Sequence, residues 1–242
     1  MKIFIHIGDS RTGTTTLQSF LTENSAKLLE LGIHYPRLPS SHKDSTAQHL
    51  LAFSLLDEWP AFAIKAKKPR EQIWDELKQY IDGNMKLGGR LLISSEAFSS
   101  AGQEQIGFVK KTLSEHDVTP IFVKRDIEDW RRSMREQRIR RGFHEAELGG
   151  PAKYDLGAKK LANWANYFDV KVIHYSRNVI SDIMAFLDIN DTDFKIIENL
   201  NAQPPEGTIE LLNTLNKIPM EEKNRVHFNE TIFQWLVKHS AK

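Results

Sequence analysis

The stretch Ile7-Gly8-Asp9-Ser10-Arg11-Thr12-Gly13-Thr14-Thr15-Thr16 leaves an apolar run and enters a helical pattern. Before it, residues 2–7 place Ile3, Phe4, Ile5 and Ile7 around His6, a run apolar enough for a strand buried on both faces of a parallel sheet. After it, Leu17, Phe20, Leu21, Leu28 and Leu31 fall largely on one face of a helix predicted from Thr14 to about Leu31, with Gly32 as its stop. Such a strand–loop–helix junction can hold an anion. Successive backbone N–H groups and the positive end of the helix face the ligand, and Gly8 and Gly13 let the backbone bend towards it. Thr14, Thr15 and Thr16 add hydroxyls at the helix start, and Arg11 adds a permanent cation. A plain turn with a threonine cap would use similar residues. The arginine between two correctly spaced glycines favours the anion site.

The spacing Gly8-x4-Gly13 matches the phosphate-loop skeleton G-x-x-x-x-G-K-[ST], but Thr14 stands at the lysine position. That lysine reaches the terminal phosphates of a nucleoside triphosphate. Its absence argues against an ordinary ATPase, GTPase or kinase.

Outward from this loop, helical patterns cover residues 46–57, 58–67, 70–84, 103–115, 127–141, 155–168 and 179–187, and two more follow residue 207. Strands are read at 33–35, 91–94, 119–124 and 170–175. Strands alternating with helices predict an α/β fold, one parallel sheet covered on both faces. No repeat and no clear linker interrupts residues 1–242, so a single domain is expected. The sequence is 40% hydrophobic and 27% charged, an ordinary globular mixture. Its 33 Lys+Arg against 32 Asp+Glu leave a net charge of +1, which gives no support for a nucleic-acid partner or a membrane-surface protein. There is no cysteine, which excludes disulfides, catalytic thiols and thiolate metal sites. With no membrane-span candidate and no signal peptide after Met1-Lys2, a cytoplasmic protein is expected.

A second cationic site is read in Val123-Lys124-Arg125-Asp126-Ile127-Glu128-Asp129-Trp130-Arg131-Arg132-Ser133. Arg125 lies at the carboxyl edge of a predicted strand, where open α/β sheets bind ligands, and Ser133 lies in the next helix. Taken alone, Arg125 would pair with Asp126 or Asp129 and Ser133 would be a solvated helix residue. The helix continues with Arg135, Arg138, Arg140 and Arg141, a solvated face with Glu128–Arg132 and Glu136–Arg140 pairs at i,i+4.

Two motifs in this order resemble the sulfotransferase family. Ser10-Arg11-Thr12-Gly13-Thr14-Thr15 resembles its 5′-phosphosulfate loop, Pro-[Lys/Arg]-[Thr/Ser]-Gly-[Thr/Ser]-[Thr/Ser], with Ser10 where proline is common and Arg11 for the more frequent lysine. His6-Ile7-Gly8 before it is similar to bacterial members. Arg125 and Ser133 resemble the 3′-phosphate motif, with Ile127 for the common proline. Weaker likeness extends over Leu92-Ile93-Ser94-Ser95-Glu96-Ala97-Phe98 and residues 161–168, so that the resemblance covers roughly residues 3–190.

The resemblance implies a P-loop-like three-layer sandwich with a central parallel sheet of about five strands. It implies transfer of a sulfuryl group from 3′-phosphoadenosine 5′-phosphosulfate (PAPS) to a hydroxyl or amine, with 3′,5′-ADP as product and no metal. The acceptor it suggests is a glycan or small metabolite. The cofactor-binding residues it implies are Ser10, Arg11, Thr12, Gly13, Thr14, Thr15, Thr16, Arg125 and Ser133. Arg11 would act electrostatically, because a guanidinium does not give up its proton. The acceptor would need a base. Glu96 follows the strand at 91–94, and His49 opens a helix after the polar loop 37–45. Glu96 also suits a helix N-terminus, His49 also suits a structural role, and His34 is a third choice. Loops 37–45 and 142–154 are expected to frame the acceptor. The competing readings are a small-molecule kinase with a displaced lysine and a non-catalytic nucleotide- or anion-binding protein of the same fold.

Overall fold

Alternation along the first strand divides the interior into two. In β1 (Lys2–His6), Ile3 and Ile5, with Ile7 beyond them, join one buried cluster and Phe4 joins another. Successive strand side chains leave opposite faces, so each face of this strand needs its own cover. The computed structural model that shows this describes residues 1–39, 46–85, 89–144, 156–190, 193–195 and 205–239.

The elements that follow are α1 (Thr14–Glu23), α2 (Ser25–Glu30), β2 (Ile33–His34), α3 (His49–Phe53), a 3₁₀ turn (Ala61–Ala66), α4 (Arg70–Asn84) and β3 (Arg90–Ser94). A second 3₁₀ turn (Glu96–Ser100), α5 (Gln103–Thr112), β4 (Asp117–Lys124), α6 (Ile127–Arg140), α7 (Leu156–Ala165), β5 (Lys171–His174), α8 (Val179–Phe186), α9 (Thr208–Leu215) and α10 (Glu222–His239) complete the order.

The strands form one all-parallel sheet in the order β2-β3-β1-β4-β5. His6 is in register with Ser94 on one side and Ile121 on the other. β4 accommodates Pro120 because β5 pairs with it only from Ile121 onward. On one face Leu17, Phe20, Leu21, Leu28 and Ile183 pack on Phe4, Leu92, Ile121 and Val123. On the other Leu51, Trp74, Leu77, Ile106 and Trp164 pack on Ile3, Ile5, Ile93 and Phe122. The result is the expected α/β architecture of helix, sheet and helix layers.

β1 leads to β2 on one side, whereas β4 leads to β5 on the other. The crevice between the carboxyl ends of β1 and β4 is therefore a topological switch point, the place where open α/β sheets bind ligands.

The chain, read from its sequence as a single domain, contains two compact units, residues 1–125 with 155–198, and residues 126–154 with 199–242. The first holds the sheet. In the second, Ile139, Ile209, Leu212 and Phe233 form the core. There Asn216 and Asn229 donate to the Ile139 carbonyl at 2.8 and 3.0 Å, satisfying a carbonyl at the end of α6.

Three local expectations are corrected. The helix predicted from Thr14 to Leu31 is two helices, because the buried Asn24 amide turns to the Lys195 backbone, with its Oδ1 2.7 Å from the Lys195 N–H and its Nδ2 3.2 Å from the carbonyl. The helices predicted at 46–57 and 58–67 shrink to α3 and a 3₁₀ turn. The i,i+4 pairs of α6 are i,i+3 pairs instead, Glu128 with Arg131 and Asp129 with Arg132, while Arg140 pairs with Glu230. Among the described residues no helix is long and apolar enough to cross a membrane.

Candidate anion-binding site

The loop after β1 folds tightly on itself. Gly8 is buried, and a Cβ there would lie 2.7 Å from His6 Nε2 and 3.2 Å from Thr12 Oγ1, so only glycine fits without displacement. Gly13 caps α1 in the left-handed region at φ 77°. Arg11 also lies there, at φ 66°, an uncommon conformation for a residue with a side chain. Thr12 Oγ1 donates to the Asp9 carbonyl at 2.5 Å and lies 3.4 Å from Thr14 Oγ1, so these two buried threonines brace the turn. Thr15 is exposed, and Ser10, Arg11 and Thr16 are half-buried. The N-cap of α1, Gly13, has no side chain to bond the first turn. The first N–H groups of the helix therefore keep their capacity for an anion, and the helix dipole favours one.

Arg125 follows β4 and reaches this loop. Its Nη1 donates to the Arg11 carbonyl at 2.7 Å, and its guanidinium lies 4.5 Å from the centre of the Tyr175 ring. Its Nε is buried with no hydrogen-bond partner among the described residues. The pairing with Asp126 or Asp129 considered from sequence does not form. Asp126 caps α6 by accepting from the N–H groups of Glu128 and Asp129, and those bonds hold its carboxyl below the usual carboxylate range. Asp129 pairs with Arg132. Ser133 belongs to the second unit and is buried on α6, not solvated.

Glu96 follows the carboxyl end of β3, and His49 bonds its neighbour Ser95 there. Gln18 Nε2, on α1, donates to Ser94 Oγ at 3.2 Å and to Glu96 Oε2 at 3.3 Å. Ser95 Oγ accepts from the Ala97 N–H at 3.3 Å and lies 2.8 Å from His49 Nδ1. With the Ser95 hydroxyl donating to Nδ1, one of the two arrangements that this pair allows, the His49 proton sits on Nε2. His49 then presents a donor and Glu96 the acceptor. His49 also stacks on Phe53, with ring centres 5.6 Å apart. His34 instead bonds Tyr80 and lines a cavity of about 290 Å³ with Tyr35, Arg37 and Tyr80. Loops 37–45 and 142–154, expected to frame an acceptor, lie largely outside the described residues.

His6 ties the two halves of this edge together. It is fully buried, its Nδ1 lies 2.8 Å from Ser94 Oγ, and its Nε2, against Gly8, has no partner among the described residues. Burial lowers its pKa from 6.5 to about 4. The unfolded chain thus binds a proton here below pH 6.5 while the native chain does so only near pH 4, so stability rises with pH across that window. Between pH 4.5 and 7 this contributes roughly 2–3 kcal/mol. Urea unfolding at both pH values should show that much less pH dependence in His6→Gln than in the parent. Equal dependence in the two chains would contradict a neutral buried imidazole.

Lys160, Gln18, Ser94, Ser95 and Tyr175 escape the sequence reading. Gln18 leaves one trace there, a polar residue beside Leu17 on a helix whose other buried positions are largely apolar. Lys160 Nζ lies 2.8 Å from Asp9 Oδ1, and nothing in its helix marks it out.

The chain is thus an α/β protein whose switch point brings the start of α1 and the loop after β1 against Arg125 at the end of β4. No protein-family model matches it, and no curated protein does. A solved structure from a study titled "Molecular and structural characterization of the PezAT chromosomal toxin-antitoxin system of the human pathogen Streptococcus pneumoniae" is similar to it over 98% of this chain and 87% of that one, at 11% identity and a TM-score of 0.37. Likeness at that level carries no inference about function. Among the described residues no group of three or more His, Asp or Glu is placed to hold a metal ion.

Proposed function

We propose that this chain is a PAPS-dependent sulfotransferase acting on a hydroxyl or amine, with a glycan or small metabolite as acceptor. One observation carries the reading. The loop bearing the phosphosulfate motif and the arginine of the 3′-phosphate motif, 114 residues apart in sequence, are joined by a hydrogen bond at the switch point. The residues present fit such an anionic nucleotide: the Gly13 N-cap puts no side chain over the start of α1, Arg125 Nε is buried with no partner among the described residues, and Gly8 keeps the backbone close. When bound, PAPS supplies an activated sulfuryl group.

The chain's own residues do the rest. The amides of Ser10 to Thr16 and the Arg11 guanidinium stabilise negative charge that builds beside the loop. Arg125 adds a second fixed cation at the neighbouring strand end. Glu96, held by Gln18, takes the proton from the acceptor, and His49 Nε2 donates to orient it.

Calorimetry with 3′,5′-ADP tests this directly. Micromolar binding without magnesium is expected, and silence at millimolar nucleotide would overturn the proposal. A preference for magnesium ATP would mark the chain as a small-molecule kinase instead, the reading that the Gly8-x4-Gly13 spacing favours.

A further inference from the structure

Phosphate loops of this spacing carry a lysine where this chain has Thr14. A lysine arrives from elsewhere in the same unit. Lys160 on α7 places Nζ 2.8 Å from Asp9 Oδ1, with side chains 23% and 16% exposed. The first turn of α7 approaches the same carboxylate, since a Cβ on Gly157 would lie 3.6 Å from Asp9 Oδ2.

Asp9 is the odd member of this loop. A carboxylate beside an anion cradle opposes an incoming anion unless it stands in for one. Asp9 Oδ1 does what an anion oxygen would do. It accepts from the Ser10 N–H at 3.0 Å and lies against an ammonium at the same time. Beneath the loop, fully buried His6 turns its unpartnered Nε2 to Gly8, so polar capacity is left unused at the strand end where the loop begins.

We propose that Lys160 is an anion-binding residue of this site and that Asp9 is its internal stand-in ligand. An arriving phosphate or sulfate group displaces the Asp9 carboxylate and takes over the Ser10 N–H and the Lys160 ammonium. Lys160 thereby supplies, from a distant helix, the mobile cation that position 14 lacks. The inference rests on the anion-site reading of the loop, and it holds for a tetrahedral oxyanion whether or not the donor is PAPS.

The two partners must then act with opposite signs. Calorimetry on the full chain with 3′,5′-ADP and with inorganic pyrophosphate should show Lys160→Gln binding about tenfold more weakly, the worth of one charge-assisted hydrogen bond. Lys160→Arg should retain most of the affinity. Asp9→Asn, which removes the competing charge but keeps the shape, should bind several-fold more tightly. A purely structural ion pair would make both substitutions weaken binding together, and that result, or unchanged affinity in both, overturns the proposal. If Lys160→Gln does not fold, as judged by circular dichroism, the gain in Asp9→Asn and the retention in Lys160→Arg decide it. Opposite signs with pyrophosphate and no binding of 3′,5′-ADP would remove the PAPS reading and leave this inference standing. If the parent chain binds neither probe, both fall.

Discussion

Glu96→Gln is expected to fold and to bind 3′,5′-ADP like the parent chain, yet to lose sulfate transfer by roughly 10²–10⁴-fold, the usual worth of a positioned general base. The substitution is nearly isosteric. The amide oxygen still accepts from Gln18 Nε2, which sits 3.3 Å from Glu96 Oε2, so the turn it opens keeps its anchor. Only the capacity to take a proton disappears. Transfer is measured with labelled PAPS and the acceptor fraction of a cell extract that the parent chain labels. His49→Ala, by contrast, should cost less, because it removes a donor that orients the acceptor. If His49→Ala abolished transfer while Glu96→Gln left it intact, the base would be His49 and the tautomer argued from Ser95 would be wrong.

The second large effect is on stability. Trp164→Ala is expected to destabilise the chain by about 3–5 kcal/mol, the range for removing a large buried aromatic side chain. Trp164 is fully buried, packs edge-on to Phe98 with centres 6.5 Å apart, and lies 5.7 Å from Phe168. Its indole N–H donates to the Phe98 carbonyl at 3.1 Å, inside the 3₁₀ turn that begins at Glu96. Truncation leaves a void and removes one of the two donors to that carbonyl, which keeps the Ala101 N–H at 3.1 Å. Trp164→Phe should restore much of the packing but not the bond, with a residual cost of roughly 1–3 kcal/mol. Urea unfolding of the three chains orders them. A loss below about 1 kcal/mol for the alanine variant would mean that α7 does not clamp the turn carrying Glu96.

Much of this architecture can be read from the sequence because its strands are buried on both faces. Runs such as Ile3-Phe4-Ile5 and Ile121-Phe122-Val123 announce themselves without any partner in view. The loop is legible for a related reason, since glycine spacing and helix position are local properties. What sequence hides is where a polar side chain finds a distant partner. Asn24 looks like any helix residue until Lys195, 171 positions away, accepts and donates to its amide. Arg125 has two acidic neighbours that look like partners, but helix capping claims one of them and an arginine of the helix the other. Lys160 resembles a solvated helix lysine, and only the fold brings it to Asp9.

The bond from Arg125 to the Arg11 carbonyl means that the two strand ends cannot be ordered independently. Whatever quiets the turn after β1 also fixes the guanidinium after β4, and linkage makes the effect mutual. A dianionic molecule that touches both ends settles the ordering entropy of the pair in a single event. Two separate monoanions would each have to do so unaided, so that under the proposed function the crevice would favour ligands whose charges are covalently held apart.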